Sequence, residues 1–292
     1  MTLDAGFRVA LNSDGVFHMR IGHRSIGAAL VLAAAVFSNS ADAAIGDLLV
    51  APTRVVLDGP RGTEVFLNNI GTEPATYRIS LELRRMHTDG TLEEVPVEKA
   101  DAHEQQSLGL IRYNPRKIVL PPNQPQAIRV GLIPTPGLAD GEYRVHMLFR
   151  AIPAARPVVT DGKPTSGIAI SLTPVYGITI PVIVRMGTLS AKAAIAAPKL
   201  IQDQTGSFLT LKLSRTGTRS VYGRVKVTKA GIDKPLIDAR GISVYTEVGE
   251  REVRLPIDAA TAVQLKGPVK IQYLEETESG GGVLAELQGV IG

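Results

Sequence analysis

The chain of 292 residues contains no cysteine and no tryptophan, and aromatic residues make up only 4% of it. Without cysteine there is no disulfide framework, no thiolate metal site and no cysteine nucleophile. Carbohydrate hydrolases of the β-sandwich type need convergent carboxylates and usually aromatic platforms, which this composition scarcely provides. Charge of one sign is also in short supply. The formal net charge is +4, and lysines and arginines are scattered rather than clustered, which argues against a dedicated nucleic-acid stripe. No nucleotide-binding loop, dinucleotide fingerprint or G-x-S-x-G elbow occurs. Beyond the first 43 residues only His87, His103 and His146 remain, at no metal-ligand spacing, so no metal, cofactor or catalytic residue is assigned. His146 reads as a solvated strand residue. The adjacent acids Glu93 and Glu94, or Glu275 and Glu276, read as surface charge.

Long hydrophobic runs are scarce too, with one exception near the start. Arg20, His23 and Arg24 precede the apolar run Ile26–Phe37, and Ala41-Asp42-Ala43 follows as an A-x-A cleavage site. This is the layout of an export signal; about 12 apolar residues fall short of the roughly 20 that span a bilayer. The expectation is a signal peptide over 1–43, with Met19 as an alternative start and a mature protein beginning near Ala44. An exported chain without cysteine fits a bacterial periplasm, and no later stretch calls for stable membrane insertion.

What the chain does have is short alternation. In ATYRISLELRR, Tyr77, Ile79, Leu81 and Leu83 share one face; Ile128, Val130 and Leu132 do so in QAIRVGLI, and Tyr143, Val145, Met147 and Phe149 in EYRVHMLFRAI. About seven such strands precede Arg185, and six or seven more follow a restart after Gly187. Strands this short and evenly spaced predict an all-β protein of two immunoglobulin-like sandwiches in series, over 44–187 and 188–292. No segment shows a helical period together with capping signals. The stretch LSAKAAIAAPKL, at the start of the second half, reads as a linker strand.

One stretch is anomalous. In GIAISLTPVYGITIPVIVR, residues 167–185, every even position from Ile168 to Val184 is aliphatic, tyrosine or proline. Period two is held for about three times the usual strand length of roughly 5–6 residues. Pro174 and Pro181 lie inside it, and proline cannot donate to a ladder, so part of this strand belongs at an edge. A long apolar edge is normally an aggregation hazard. The residues from Ile178 to Val184 read as core of the first sandwich.

The segments APTRVVLDG (51–59), RYNPRKIVLPPNQPQAIRV (112–130), DGEYRVHMLFRAIP (140–153) and ITIPVIVR (178–185) occur in this order. Together they resemble the periplasmic chaperones of chaperone–usher pilus systems, the PapD-like family; LSRTGTRSVYGRVKV, GISVYTEVGEREVRLPI and VKIQYLEE carry a looser likeness in the second half. The resemblance implies donor-strand complementation, in which Ile168, Ile170 and Leu172 would fill the groove of an incomplete pilus subunit, with Tyr176 extending the set. It implies that Arg54 binds the subunit's C-terminal carboxylate, for which a guanidinium fork is suited. It further implies an interdomain charged network of Glu142, Arg185 and Glu276, with Glu275 the second choice for the third place.

Pro181 stands where many members carry a lysine, which puts a two-cation clamp in doubt and points to a divergent branch. The implied partners are pilus or fimbrial subunits and an outer-membrane usher, with a self-capping dimer to cover the free edge. The alternatives are an exported structural or adhesin-like protein, or a chaperone for another exported surface protein.

Overall fold

The computed structural model describes residues 48–153, 175–276 and 281–292. In chain order the first half forms strands β1 (Leu48–Ala51), β2 (Val55–Leu57), β3 (Thr63–Asn69), β4 (Ala75–Met86) and β5 (Leu92–Val95). Helix α1 (Ala102–Gly109) follows, then β6 (Ile111–Asn114), β7 (Lys117–Leu120), β8 (Gln126–Leu132), β9 (Gly141–Ile152) and β10 (Gly177–Met186). One sheet has the order β1-β3-β8-β6, and the facing sheet runs β2-β10-β9-β4-β5 with β7 also on β4. The split of the first strand into β1 and β2 around Pro52 ties one chain segment into both sheets. This split, and the short strands flanking α1, raise the strand number above the expected seven.

Alternation places the core. Val65 and Leu67 of β3, Ile128 and Val130 of β8, and Val145, Met147 and Phe149 of β9 are buried between the sheets, together with Ile180, Val182 and Val184 of β10. Truncation of a fully buried side chain such as Phe149 typically costs about 3–5 kcal/mol. Part of the other face of β9 and β10 is covered as well. Ile183 packs with Met86 and with Tyr245 of the second sandwich in a separate buried cluster. Met86 reaches it because it lies three residues beyond the core residue Leu83, and an odd step along a strand turns a side chain to the opposite face.

The second half forms β11 (Ala191–Asp203), β12 (Gly206–Gly217), β13 (Val221–Thr228), β14 (Ile237–Val244), β15 (Glu250–Ile257), helix α2 (Ala259–Leu265), β16 (Gly267–Glu275) and β17 (Val283–Ile291). Sheets β11-β12-β15 and β14-β13-β16-β17 face each other across a core that includes Leu209, Leu211, Leu213, Val225, Val227, Ile271 and Tyr273. The architecture is two immunoglobulin-like β-sandwiches in series. The alanine-rich stretch read as a linker is the edge strand β11 of this second sandwich. The chain passes between the sandwiches at Gly187, whose φ of 74° favours a residue without a side chain.

The two helices correct the expectation of none. α1 opens with a capping box: the Asp101 side chain accepts from the Glu104 backbone N–H at 2.8 Å, and Glu104 accepts from the Asp101 N–H at 2.9 Å. The helix is held to the first sandwich by Arg85, whose Nε and Nη2 donate to Glu104 at 3.0 and 2.7 Å. His103 stacks on Tyr143 with centroids 4.4 Å apart. α2 starts at Asp258, whose carboxylate accepts from the Thr261 N–H at 2.6 Å. Among the described residues no helix is long and apolar enough to cross a membrane.

Candidate functional site

The register of β10 organises the site. Along β9 it pairs from Gly177 to Met186, but along β2 it pairs only at Val182↔Val55, Ile183↔Val56 and Val184↔Leu57. From Gly177 to Pro181 its outer edge has no strand partner among the described residues. One further step of the β2 register sets Arg54 beside Pro181, so Arg54 stands where β10 loses its second neighbour. The cross-strand pairs Arg185↔Glu142, Ile183↔Arg144 and Pro181↔His146 share the face turned to the second sandwich.

At this junction the Arg54 guanidinium lies over the Tyr222 ring, with Cζ 4.5 Å from its centroid. Its Nη2 donates to the Ser220 hydroxyl at a long 3.5 Å, and its buried Nη1 has no hydrogen-bond partner. Burial lowers the Arg54 pKa from its usual value; Tyr245 opposes this, the nearby Arg185 adds to it, and Glu142 and Tyr222 oppose it.

Glu142 and Arg185 are paired across β9 and β10. The Glu142 side chain is 1% exposed; its Oε2 accepts from Arg185 Nε at 3.0 Å and from the Ser220 backbone N–H of the second sandwich at 3.1 Å. The second carboxylate oxygen, Oε1, is buried without a partner. Arg185 Nη2 also points to the Ser220 carbonyl at 3.5 Å. Within the second sandwich, Arg219 donates to Glu275 Oε1 at 2.8 Å and to the Ser220 carbonyl at 3.3 Å. Glu276 instead faces Arg240 at 3.9 Å and accepts from the Gly241 N–H at 3.3 Å. It therefore stays within the second sandwich and is not in contact with Glu142 or Arg185. Three guanidinium groups converge on Ser220. Arg185 has Glu142, Arg219 has Glu275, and Arg54 has no hydrogen-bonded carboxylate among the described residues.

A second contact between the sandwiches was not expected from the sequence. Arg144 donates through Nη1 and Nη2 to Glu247 at 3.0 and 2.5 Å, and through Nη2 to the Arg84 carbonyl at 2.6 Å. Its guanidinium lies 3.7 Å from the Tyr245 ring centroid. Glu247 also accepts from the Met86 N–H at 2.8 Å, and the Glu252 N–H donates to the Thr88 carbonyl at 2.6 Å.

His146 is the clearest correction among the titratable groups. It is 1% exposed rather than solvated, meets Tyr245 edge-on at 6.5 Å, and has both ring nitrogens without a partner. Burial, followed by the charges of Arg144 and Arg84, lowers its pKa to about 3. The signal available for these residues was the even face of β9, with Glu142, Arg144 and His146; period two identifies that face but not what covers it.

The expected donor residues Ile168, Ile170 and Leu172 lie outside the described residues. Tyr176, just before β10, is exposed, and its carbonyl accepts from the Ala151 N–H at 2.9 Å. Among the described residues no cluster of three or more histidine or acidic side chains could hold a metal ion.

Fold and site together define an all-β, two-sandwich protein with a basic junction. No family model matches the sequence, and no curated protein matches it in sequence. Solved structures similar to it include the YadV chaperone, 14% identical, with 84% of this chain and 99% of that chain covered at a TM-score of 0.44. A chain of the CsuC–CsuE chaperone–tip adhesion subunit complex from the archaic chaperone-usher Csu pili of Acinetobacter baumannii is also 14% identical, covering 84% and 97% at a TM-score of 0.42. A chain of the Salmonella enterica SafA pilin–SafB chaperone complex is 14% identical, covering 83% and 95% at a TM-score of 0.42. These are remote likenesses in fold.

Proposed function

We propose that the chain is a non-enzymatic periplasmic chaperone that completes the fold of incomplete pilus or fimbrial subunits and passes them to an outer-membrane usher. In this reading residues 1–43 are the cleaved export signal, 44–187 the subunit-binding sandwich and 188–292 the second sandwich. The observation that supports it most is the position of Arg54: a guanidinium without a carboxylate stands at the point where the β10 edge becomes free. A polypeptide whose C-terminal carboxylate sits at Arg54 can extend only back along that edge. It then runs parallel to β10, and the pinned end sets its register.

Ile168, Ile170 and Leu172 precede β10 on the same alternation and would supply the side chains that enter the subunit's groove. Burial of each is worth roughly 1.5–3 kcal/mol before ordering costs. Glu142 and Arg185 fix the sandwiches around the anchor. With no nucleotide site in the sequence, release would come from exchange with a better-fitting extension of the next subunit.

The test is periplasmic co-expression with a subunit from the same operon, comparing wild type with Arg54→Ala and Ile170→Asp. Both variants should recover several-fold less soluble subunit; recovery equal to wild type in both removes the reading.

A further inference from the structure

Arg54 lacks the carboxylate that orients Arg185 and Arg219, and Pro181 beside it brings no second cation. Something else must hold the guanidinium. In β13 the core takes Val221, Val225 and Val227, so the alternation turns Tyr222 outward, toward the first sandwich. Its ring lies under Arg54 at a distance suited to a cation–π contact, 4.5 Å from Cζ to centroid. A guanidinium carries its N–H groups in its own plane. A ring approached by the guanidinium carbon can therefore hold the group without hydrogen-bonding to its donors, whereas a carboxylate partner would consume two.

Tyr222 is itself well fixed. Its carbonyl accepts from the Glu276 N–H at 3.1 Å. The next residue, Gly223, lies so close to β16 that a Cβ there would fall 2.1 Å from the Leu274 carbonyl oxygen, so β13 cannot shift without displacing its neighbour. The Ser220 hydroxyl steadies the Nη2 end at 3.5 Å.

We propose that Tyr222 is the positioning residue of the Arg54 anion site, and that this site, made for a single carboxylate, is complete only when the second sandwich supplies the ring. The inference rests on reading Arg54 as a carboxylate anchor. One uncompensated guanidinium, with the Glu142 carboxylate close by, favours a monoanion such as a polypeptide C-terminus over a dianion.

The experiment follows the Arg54 Nε–Hε NMR signal of the whole chain, assigned by its loss in Arg54→Lys. The protein is titrated with N-acetylglycine, which has a free carboxylate, and with N-acetylglycinamide, which does not. Wild type should show a saturable shift with the acid alone. Tyr222→Phe should keep the affinity within about twofold, whereas Tyr222→Leu should weaken it about fivefold or more and remove the ring-current displacement of the signal. Tyr222→Gln repeats the test if the leucine variant fails to fold. Wild-type affinity in both Tyr222→Leu and Tyr222→Gln overturns the role of Tyr222 and leaves the anchor standing. No response to the acid in wild type, or an equal response to acid and amide, overturns the anchor itself.

Discussion

The two ends of the contact between the sandwiches use the same kinds of group to opposite effect. At one end Arg144 lies against a tyrosine ring and is gripped by both oxygens of Glu247. At the other, Arg54 also lies against a tyrosine ring, but among the described residues no carboxylate hydrogen-bonds to it. A charge removed from water needs a partner or it costs stability. The Arg144 end meets that need for its charge through Glu247 and works as a latch, although its Nε is also buried without a hydrogen-bond partner. The Arg54 end does not among the described residues, and on the proposed reading that is where the ligand would bind.

The comparison predicts effects of different size and sign. The largest is expected for Glu247→Ala, which leaves Arg144 without its carboxylate and the Met86 N–H without its acceptor. Stability in urea should fall by about 3 kcal/mol, at the upper end for losing hydrogen bonds to a charged group in a part-buried pair; a loss under about 1 kcal/mol would reduce the latch to an ordinary surface pair.

Next comes acid sensitivity at the latch. The His146 pKa is about 3 in the folded chain, against about 6.5 when unfolded. As pH falls through 6.5 the unfolded state takes up this proton first. The stability that the neutral ring permits is thus fully present above pH 6.5 and is lost progressively toward pH 3. Between pH 6.5 and 5 the loss should approach about 2 kcal/mol, and urea titrations of His146→Gln should lack that component. Identical pH profiles for the two proteins would contradict the burial of the ring.

The smallest effect is expected at Arg54. Arg54→Leu removes an uncompensated charge, so stability should stay level or rise by up to about 1 kcal/mol while subunit recovery falls. A loss as large as that of Glu247→Ala would make the two ends alike and remove the contrast.

The core was legible because its signal is local: Ile128 with Val130, and Val225 with Val227, alternate as half-buried strands must. The pairing of Glu142 with Arg185 and the interest of Arg54 came from the likeness of segments, and cross-strand register then placed them. His146 was misread because a polar residue on an alternating strand is solvated only if nothing packs on that face, and here Tyr245, about a hundred positions away, does. Glu247 was illegible for the same reason. α1 escaped because AHEQQSLG has no apolar stripe, although the capping pair Asp101 and Glu104 was present in the sequence. Glu275 and Glu276, expected as candidates for a third network position, take different partners, Arg219 and Arg240, because successive residues at a strand end face opposite ways.

The brevity of β2 has a consequence of its own. On the proposed reading its three residues would act as a doorstop on β10, halting at Pro181 a strand laid along the edge that has no partner among the described residues. Lengthening β2 by one residue would move that stop by about 3.3 Å and present the arriving chain with its wrong face. Lengthening it by two would restore the face but shorten the berth, so on this reading the span of this small strand would set how much of a guest can be accommodated.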